Sequence, residues 1–309
     1  MTRTARLKAH AKLNLGLRVL FKRPDGYHEL RTVFQTISLA DRLDISFTPA
    51  KATRVRIEGA PHIPDNLVEK AAVLAVEALR IQGDIGFTLK KNIPSGAGLG
   101  GGSSDAAAVL LALPVLAGKH LPDDQLAALA ATLGSDVPFF LHGGTALGLG
   151  RGEELYPLPD LPRTKALLIA PEVHSSTAEA YRDLSQRLTS IPLQNKLFGF
   201  QQEIWRGAGV GLVNDFEEVV FARHPALAQL KKRLLRVGAS VAAMTGSGSA
   251  VFGIFQDPLR FERAQNAFSS ERTFAISFLN RSQYRSSWVR ALKPHTKGNQ
   301  WPPRSRYAR

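Results

Sequence analysis

Five glycines crowd the seven residues from Gly96 to Gly102, and Ser103, Ser104 and Asp105 follow at the head of an alanine-rich run. Glycine reaches positive φ and lets a ligand approach the backbone with no Cβ in the way. Serine and aspartate cap helices, and Ala106 to Leu113 is rich in helix formers, so a helix is expected from about Asp105 to Leu113, with Pro114 bending or ending it. A glycine loop that opens into a helix N-terminus offers free N–H groups and the positive end of the helix dipole. That combination suits phosphate. Pro94 stiffens the near end of the loop, which makes a flexible linker the weaker reading.

Two other phosphate loops are excluded. A P-loop needs a lysine directly before its Ser or Thr, and here Gly102 precedes Ser103. Gly96, Gly98 and Gly101 satisfy GxGxxG, but no second strand ending in an acid follows. The stretch from Pro122 through Asp123 and Asp124 to Gln125 reads as the start of another helix instead.

Three further groups of residues could do chemistry. From Lys8 to Leu20 the chain alternates as a strand, with Ala9, Ala11, Leu13, Leu15 and Leu17 on one face and His10, Lys12, Asn14 and Gly16 on the other. Lys12 and Asn14 then point the same way, about 6–7 Å apart. A lysine on a strand is most often a solvated surface residue. The turn Arg23-Pro-Asp-Gly-Tyr-His28 presents Tyr27 and His28, a pair that taken alone packs on a turn more often than it binds a ligand. Asp136, in Gly134-Ser-Asp-Val-Pro138, is either a helix cap or an acid–base group. Likewise, the glycine turn Thr245 to Ser249 is either a tight hairpin or a backbone wall against a ligand.

The elements that must position these groups follow from the same patterns. Strands are expected at Leu30 to Leu39, Asp41 to Thr48, Thr53 to Glu58 and Ile85 to Lys90, with an amphipathic helix from Leu67 to Ile81 capped at Asn66. Pro157, Pro159 and Pro162 fall within six residues and mark a boundary, giving an N-terminal unit of residues 1–160 and a second of 161–281. The second alternates strands, such as Lys165 to Ala170 and Val251 to Gln256, with helices such as Pro225 to Gly238.

With 309 residues, 44% of them hydrophobic and 21% charged, the chain has the composition of a globular protein with a sizeable core. Having no cysteine, it has no disulfide and no thiolate chemistry. Neither an apolar leader nor an 18-residue apolar span is present, so a cytoplasmic location and no membrane partner are expected. Of the net charge of +14, eight positive residues lie between Arg281 and Arg309 with no acid among them. Residues 282–309 are therefore expected as a basic tail, and the remainder suits an enzyme with anionic substrates. Basic and aromatic residues interleaved in that tail would also suit nucleic acid.

The glycine loop, Lys12 with Asn14, Asp136 and the Thr245–Ser249 turn, in this order, resemble the signature of the GHMP kinases. The motifs Ala11-Lys-Leu-Asn-Leu15, Pro24-Asp-Gly-Tyr-His28, Gly96 to Ser104, Gly134 to Pro138 and Thr245-Gly-Ser-Gly248 are similar to those of members acting on a cytidine-diphosphate-linked alcohol. The resemblance spans about residues 8 to 280. It implies a two-domain α+β fold, with an N-terminal ribosomal-protein-S5-like domain and a C-terminal ferredoxin-like one. By the same resemblance, the reaction is transfer of the ATP γ-phosphoryl group to the C2 hydroxyl of diphosphocytidyl-methylerythritol, a step in making isoprenoid precursors.

Residue roles carry over on the same basis. Lys12 and Asp136 match catalytic positions. Pro94, Ser95, Gly96, Ala97, Gly98, Leu99, Gly100, Gly101, Gly102, Ser103 and Ser104 match the loop around the triphosphate, and Asn66 and Lys91 match positions on the adenine side. Asn14 matches a residue near the methylerythritol, and Tyr27 and His28 match the pair that grips cytosine. Mg²⁺ is implied with ATP, and Ser104 is a candidate ligand. A nucleic-acid partner is not expected, and the oligomeric state is left open.

Overall fold

The computed structural model describes residues 1–59, 65–173, 175–187, 193–206 and 212–308. Two sheets organise the chain. The first is built on a long hairpin, β1 (Arg3–Lys22) and β2 (His28–Pro49), paired antiparallel from Arg3↔Phe47 to Lys22↔His28. On the far edge of β2, β4 (Gly83–Lys90) pairs with the second half and β5 (Thr145–Leu149) with the first. Two short strands complete the sheet: β3 (Arg54–Glu58), parallel to β4, and β6 (Glu154–Pro157), antiparallel to β5. The expected strands at Leu30–Leu39 and Asp41–Thr48 are thus one strand. Its register shifts against β1 between the pairs His10↔Ala40 and Lys12↔Thr36, so the polar break near Asp41 is a bulge and not a turn.

Against one face of this sheet pack α1 (Leu67–Leu79), α2 (Gly101–Ala117), α3 (Asp123–Leu133) and the four-residue α4 (Val137–Phe140). Helix α2 is the axis of this layer. It is buried from Ser104 through Leu116, which is why it is rich in alanine and has no polar face. It begins at Gly101 rather than at Asp105 and runs through Pro114 to Ala117, ending at Gly118 in the left-handed conformation. Packing on every side holds the helix together past the hydrogen bond that proline removes.

The second sheet has the order β10–β7–β9–β8, formed by β7 (Lys165–Ile169), β8 (Val241–Met244), β9 (Val251–Phe255) and β10 (Thr273–Ser277), all antiparallel. This is the ferredoxin-like order. One face carries α5 (Thr177–Arg187), α7 (Phe216–Arg223), α8 (Pro225–Arg236) and α9 (Pro258–Ala267). The backbone of α6 (Leu193–Arg206) lies near β1, and Lys196 donates to the Val19 carbonyl. The other face meets the first sheet. Ala11, Leu13 and Leu15 of β1 share an apolar cluster there with Leu168, Ala243 and Phe252.

The residues read as a basic tail begin with α10 (Arg281–Leu292), opened by a capping box of Asn280 and Gln283. Tyr284, Trp288 and Leu292 of α10 are buried in the same core as α2 and α4.

Candidate active site

Strand geometry sets the position of Lys12. Its neighbours Ala11 and Leu13 face the second sheet, while Lys12 and Asn14 project to the opposite side, under the glycine loop. Far from being solvated, the two are 3% and 2% exposed. Burying an ammonium is costly unless it is paired, and here it is: Nζ donates to Asn14 Oδ1 at 2.5 Å and lies 3.3 Å from Asp136 Oδ2. Asp136 immediately precedes α4, with Pro138 in that helix's first turn, and its carboxylate caps no N–H there. Its side chain is 30% exposed, so the carboxylate opens to the cavity while its partner is sealed beneath it.

The loop from Pro94 to Gly100 holds Gly96, Gly98 and Gly100 at φ of +67°, +76° and +68°. It is wedged tightly. A Cβ on Gly98 would stand 2.2 Å from the Thr245 carbonyl oxygen, and one on Gly100 would strike the Phe140 ring at 2.9 Å. The Lys12 N–H donates to the Leu99 carbonyl at 3.0 Å, and the Asn14 N–H to Thr245 Oγ1 at 3.0 Å. The Thr245–Ser249 turn is therefore a wall against the glycine loop and not only a hairpin. No side chain caps α2, so the first N–H groups of the helix after Gly100 have no side-chain cap partner.

Two cavities share this loop. One, of about 410 Å³, is lined by Asn66, Leu67, Lys91, Ile93 and the loop from Pro94 to Ser103. Asn66 caps α1 there by accepting from the Val68 N–H, while Lys91 is held by Asp41 and, at 2.7 Å, by Asp105. The other cavity, about 360 Å³, holds Lys12, Asn14, Asp136, Ser103, Thr177, Tyr181 and Arg151. A polar groove of about 540 Å³ on the outer face of the first sheet, lined by Arg6, Asp44 and Arg56, is larger but touches neither loop nor pair. Lys12 and Asp136 line one of the two smaller cavities.

Asp105, read as a helix cap, is a buried partner of Lys91. Burial pushes its carboxyl up to about 7, with the Lys91 ammonium opposing and the Asp41 carboxylate adding. Ser104 is fully buried and its Oγ has no hydrogen-bond partner, whereas Ser103 lines both cavities.

Tyr27 and His28 stand at the tip of the β1–β2 hairpin, outside the lining of either cavity. Two residues the sequence did not single out link them to the site. His28 stacks on Tyr181 with ring centroids 4.9 Å apart, and the Arg151 guanidinium lies 4.7 Å from the Tyr27 centroid. Ser185 Oγ donates its one hydrogen to the Tyr181 carbonyl, so the 2.6 Å contact with His28 must run from Nε2–H to that oxygen. Nδ1 of a neutral ring is then an acceptor, and burial, with Lys22 nearby, lowers the His28 pKa and favours that neutral form. Burial raises the Tyr181 phenol, and Asp136 adds to the shift. Helical spacing of Thr177 and Tyr181 on one face of α5 was the signal available in sequence, but it does not distinguish a cavity wall from core.

A glycine loop locked between a lysine-bearing hairpin and a ferredoxin-like sheet is the arrangement of the GHMP kinases. Residues 66–144 match the family described as GHMP kinases N terminal domain, and residues 199–272 match GHMP kinases C terminal. A 4-diphosphocytidyl-2-C-methyl-D-erythritol kinase of Solibacter usitatus is 55% identical over 99% of this chain and 98% of its own length. One from Geobacillus kaustophilus is 39% identical over 88% of this chain and 96% of its own. The crystal structure of a 4-(cytidine 5'-diphospho)-2C-methyl-D-erythritol kinase, 39% identical, superimposes with a TM-score of 0.73 over 90% of this chain and 99% of that one. L. major mevalonate kinase, at 16% identity and a TM-score of 0.68 over 90% of this chain and 97% of its own, shares the fold. The chain belongs to the 4-diphosphocytidyl-2-C-methyl-D-erythritol kinase family.

Proposed function

We infer that this protein transfers the γ-phosphoryl group of ATP to the C2 hydroxyl of 4-diphosphocytidyl-2-C-methyl-D-erythritol, on the path to isoprenoid precursors. One observation carries the chemistry: the buried Lys12 ammonium lies 3.3 Å from a cavity-facing Asp136 carboxylate, beside the glycine loop. A tertiary alcohol is a poor nucleophile, and Asp136 is placed to accept its proton as the oxygen attacks phosphorus. Lys12 is placed beside that carboxylate to stabilise charge spreading over the phosphoryl oxygens. Asn14 fixes the Lys12 ammonium and is itself held by donating to Thr32 Oγ1 at 2.8 Å.

The purine belongs in the cavity of Asn66 and Lys91, and the triphosphate on the loop from Pro94 to Ser104 and the α2 N-terminus. The acceptor alcohol belongs in the cavity of Lys12 and Asp136. Tyr27 and Tyr181 offer aromatic faces to cytosine, and the His28 Nδ1 lone pair can accept from its exocyclic amine. Among the described residues, no cluster of three or more His, Asp or Glu side chains could hold a metal on its own. Mg²⁺ arriving with ATP would thus be held mainly by phosphate and water, with the Ser103 hydroxyl as the protein group on the cavity wall. We also propose a small-molecule role in the cytoplasm, without nucleic acid or membrane; the aromatic residues of α10 lie in the core, and no described helix is long and apolar enough to cross a membrane.

The test is ADP release with ATP, Mg²⁺ and four alcohols: diphosphocytidyl-methylerythritol, mevalonate, homoserine and galactose. Turnover of the first alone, lost in Asp136→Asn and Lys12→Ala while both stay folded by circular dichroism, is the expected result. Turnover of another alcohol in its place would overturn the substrate assignment.

A further inference from the structure

Among the described residues, the cavity of Lys12 and Asp136 is lined by one other cation, Arg151. It sits between Gly150 (φ +66°) and Gly152 (φ +110°), in the turn between β5 and β6. Glu153 clamps it twice: the Arg151 N–H donates to Oε2 at 2.8 Å and Nε donates to Oε1 at 3.0 Å. The clamp fixes the guanidinium plane through Nε, and a phosphate can take the terminal amino groups in the fork geometry that arginine offers. On one side the guanidinium lies 4.7 Å from the Tyr27 ring centroid, and on the other the side chain reaches the reaction cavity while 29% exposed. Arg151 thus lies against the aromatic residue at the hairpin tip and lines the same cavity as Lys12 and Asp136. Lys12 is engaged by Asp136 and Arg151 by Glu153, but Glu153 takes only the backbone N–H and Nε of Arg151, which places its terminal amino groups to meet an anion.

We propose that Arg151 binds the diphosphate of the acceptor substrate, setting the distance between its base and its reacting hydroxyl and selecting for nucleoside-diphosphate-linked alcohols. This rests on the cytidine-diphosphate reading of the site. Arg151 is a specificity residue here and touches no reacting atom.

The test compares wild type, Arg151→Lys and Arg151→Gln by calorimetric titration with cytidine, CDP, diphosphocytidyl-methylerythritol and ATP, using displacement for weak ligands. Loss of a charged hydrogen bond predicts that Arg151→Gln weakens CDP and the full substrate roughly 10- to 100-fold, with Arg151→Lys intermediate. Cytidine and ATP should shift by less than about threefold, a discrimination that general loss of a charged contact would not give. In turnover, KM for the alcohol should rise with little change in kcat, as for uniform binding. Equal weakening of cytidine and CDP would overturn the proposal, because Arg151 would then only support Tyr27. Unchanged CDP binding, or an equal loss of ATP, would overturn it too. If wild type itself bound neither cytidine nor CDP, the cytidine-diphosphate reading would fall first and this role with it.

Discussion

The Tyr284 hydroxyl of α10 donates to the carbonyl of Phe140, the last residue of the short helix that Asp136 opens. Trp301 Nε1 donates to the next carbonyl, Leu141, at 3.0 Å. A Cβ on Gly143 would stand 2.3 Å from the Tyr284 ring, so the chain after α4 lies directly on that ring. The C-terminal segment thus caps the helix that carries the proposed base. Tyr284→Phe leaves a buried carbonyl without its partner and should cost about 1–3 kcal/mol. Trp288→Ala, deleting a side chain 1% exposed, should cost about 3–5 kcal/mol. Urea unfolding midpoints check both, and values near wild type would mean that α10 is an accessory element.

The glycine loop tolerates methyl groups unequally. Gly98→Ala puts a Cβ 2.2 Å from a backbone oxygen at φ +76°, and no flexible side chain is there to yield. It should lose more than about 100-fold in kcat/KM, on the order of 3 kcal/mol of transition-state stabilisation. Gly102 has helical backbone, and its Cβ would meet only Leu67 at 3.7 Å. Gly102→Ala should keep or raise the thermal midpoint, by up to about 1 kcal/mol of helix propensity. Similar losses of folding in the two variants would contradict the wedge.

Lys91 sits between two carboxylates of unequal character. Asp41 also accepts the N–H groups of Asn92 and Ile93, at 2.5 and 2.8 Å, whereas Asp105 Oδ1 has no partner. Asp41→Asn should therefore destabilise by about 3–5 kcal/mol, since it breaks a buried pair. Asp105→Asn should be close to neutral above pH 7, because it removes the carboxyl whose ionisation burial and Asp41 oppose. Differential scanning calorimetry at pH 8 separates the two, and equal penalties would refute the asymmetry.

His10 makes stability sensitive to acid. Its Nδ1 lies 3.2 Å from the Ile37 carbonyl and so carries the hydrogen, and burial holds its pKa down at about 4. Between the ordinary value near 6.5 and about 4, the unfolded chain takes up a proton that the folded chain refuses. Stability from this group is thus full above about pH 6.5 and falls with acid, by about 3 kcal/mol near pH 4. His10→Gln should flatten that part of the urea midpoint–pH curve relative to wild type. Parallel curves for the two would sink the assignment.

Much of the site can be read in sequence because its signals are local. The glycine spacing, the alternation around Lys12 and Asn14, and the Asp–Pro start at Asp136 each depend on backbone preferences within a few residues. They marked a glycine loop that opens into a helix, a two-faced strand and a short helix. Where reading failed, the cause was distance along the chain. A lysine on a strand reads as solvated until Asp136, over a hundred residues on, is brought to it. Asp105 reads as a cap because its partner Lys91 lies across a glycine loop, and α2 outlasts Pro114 because packing on all sides outweighs one missing hydrogen bond.

By itself, the sequence determined which residues could bend, cap, bind phosphate or move a proton, since those are properties of residue type and short spacing. Tertiary structure alone decided which of them are buried, which charges meet, and that Tyr181, Arg151 and the C-terminal helix belong to the site's surroundings. Desolvation and pairing depend on what packs in three dimensions, and no local pattern encodes a neighbour contributed from elsewhere in the chain.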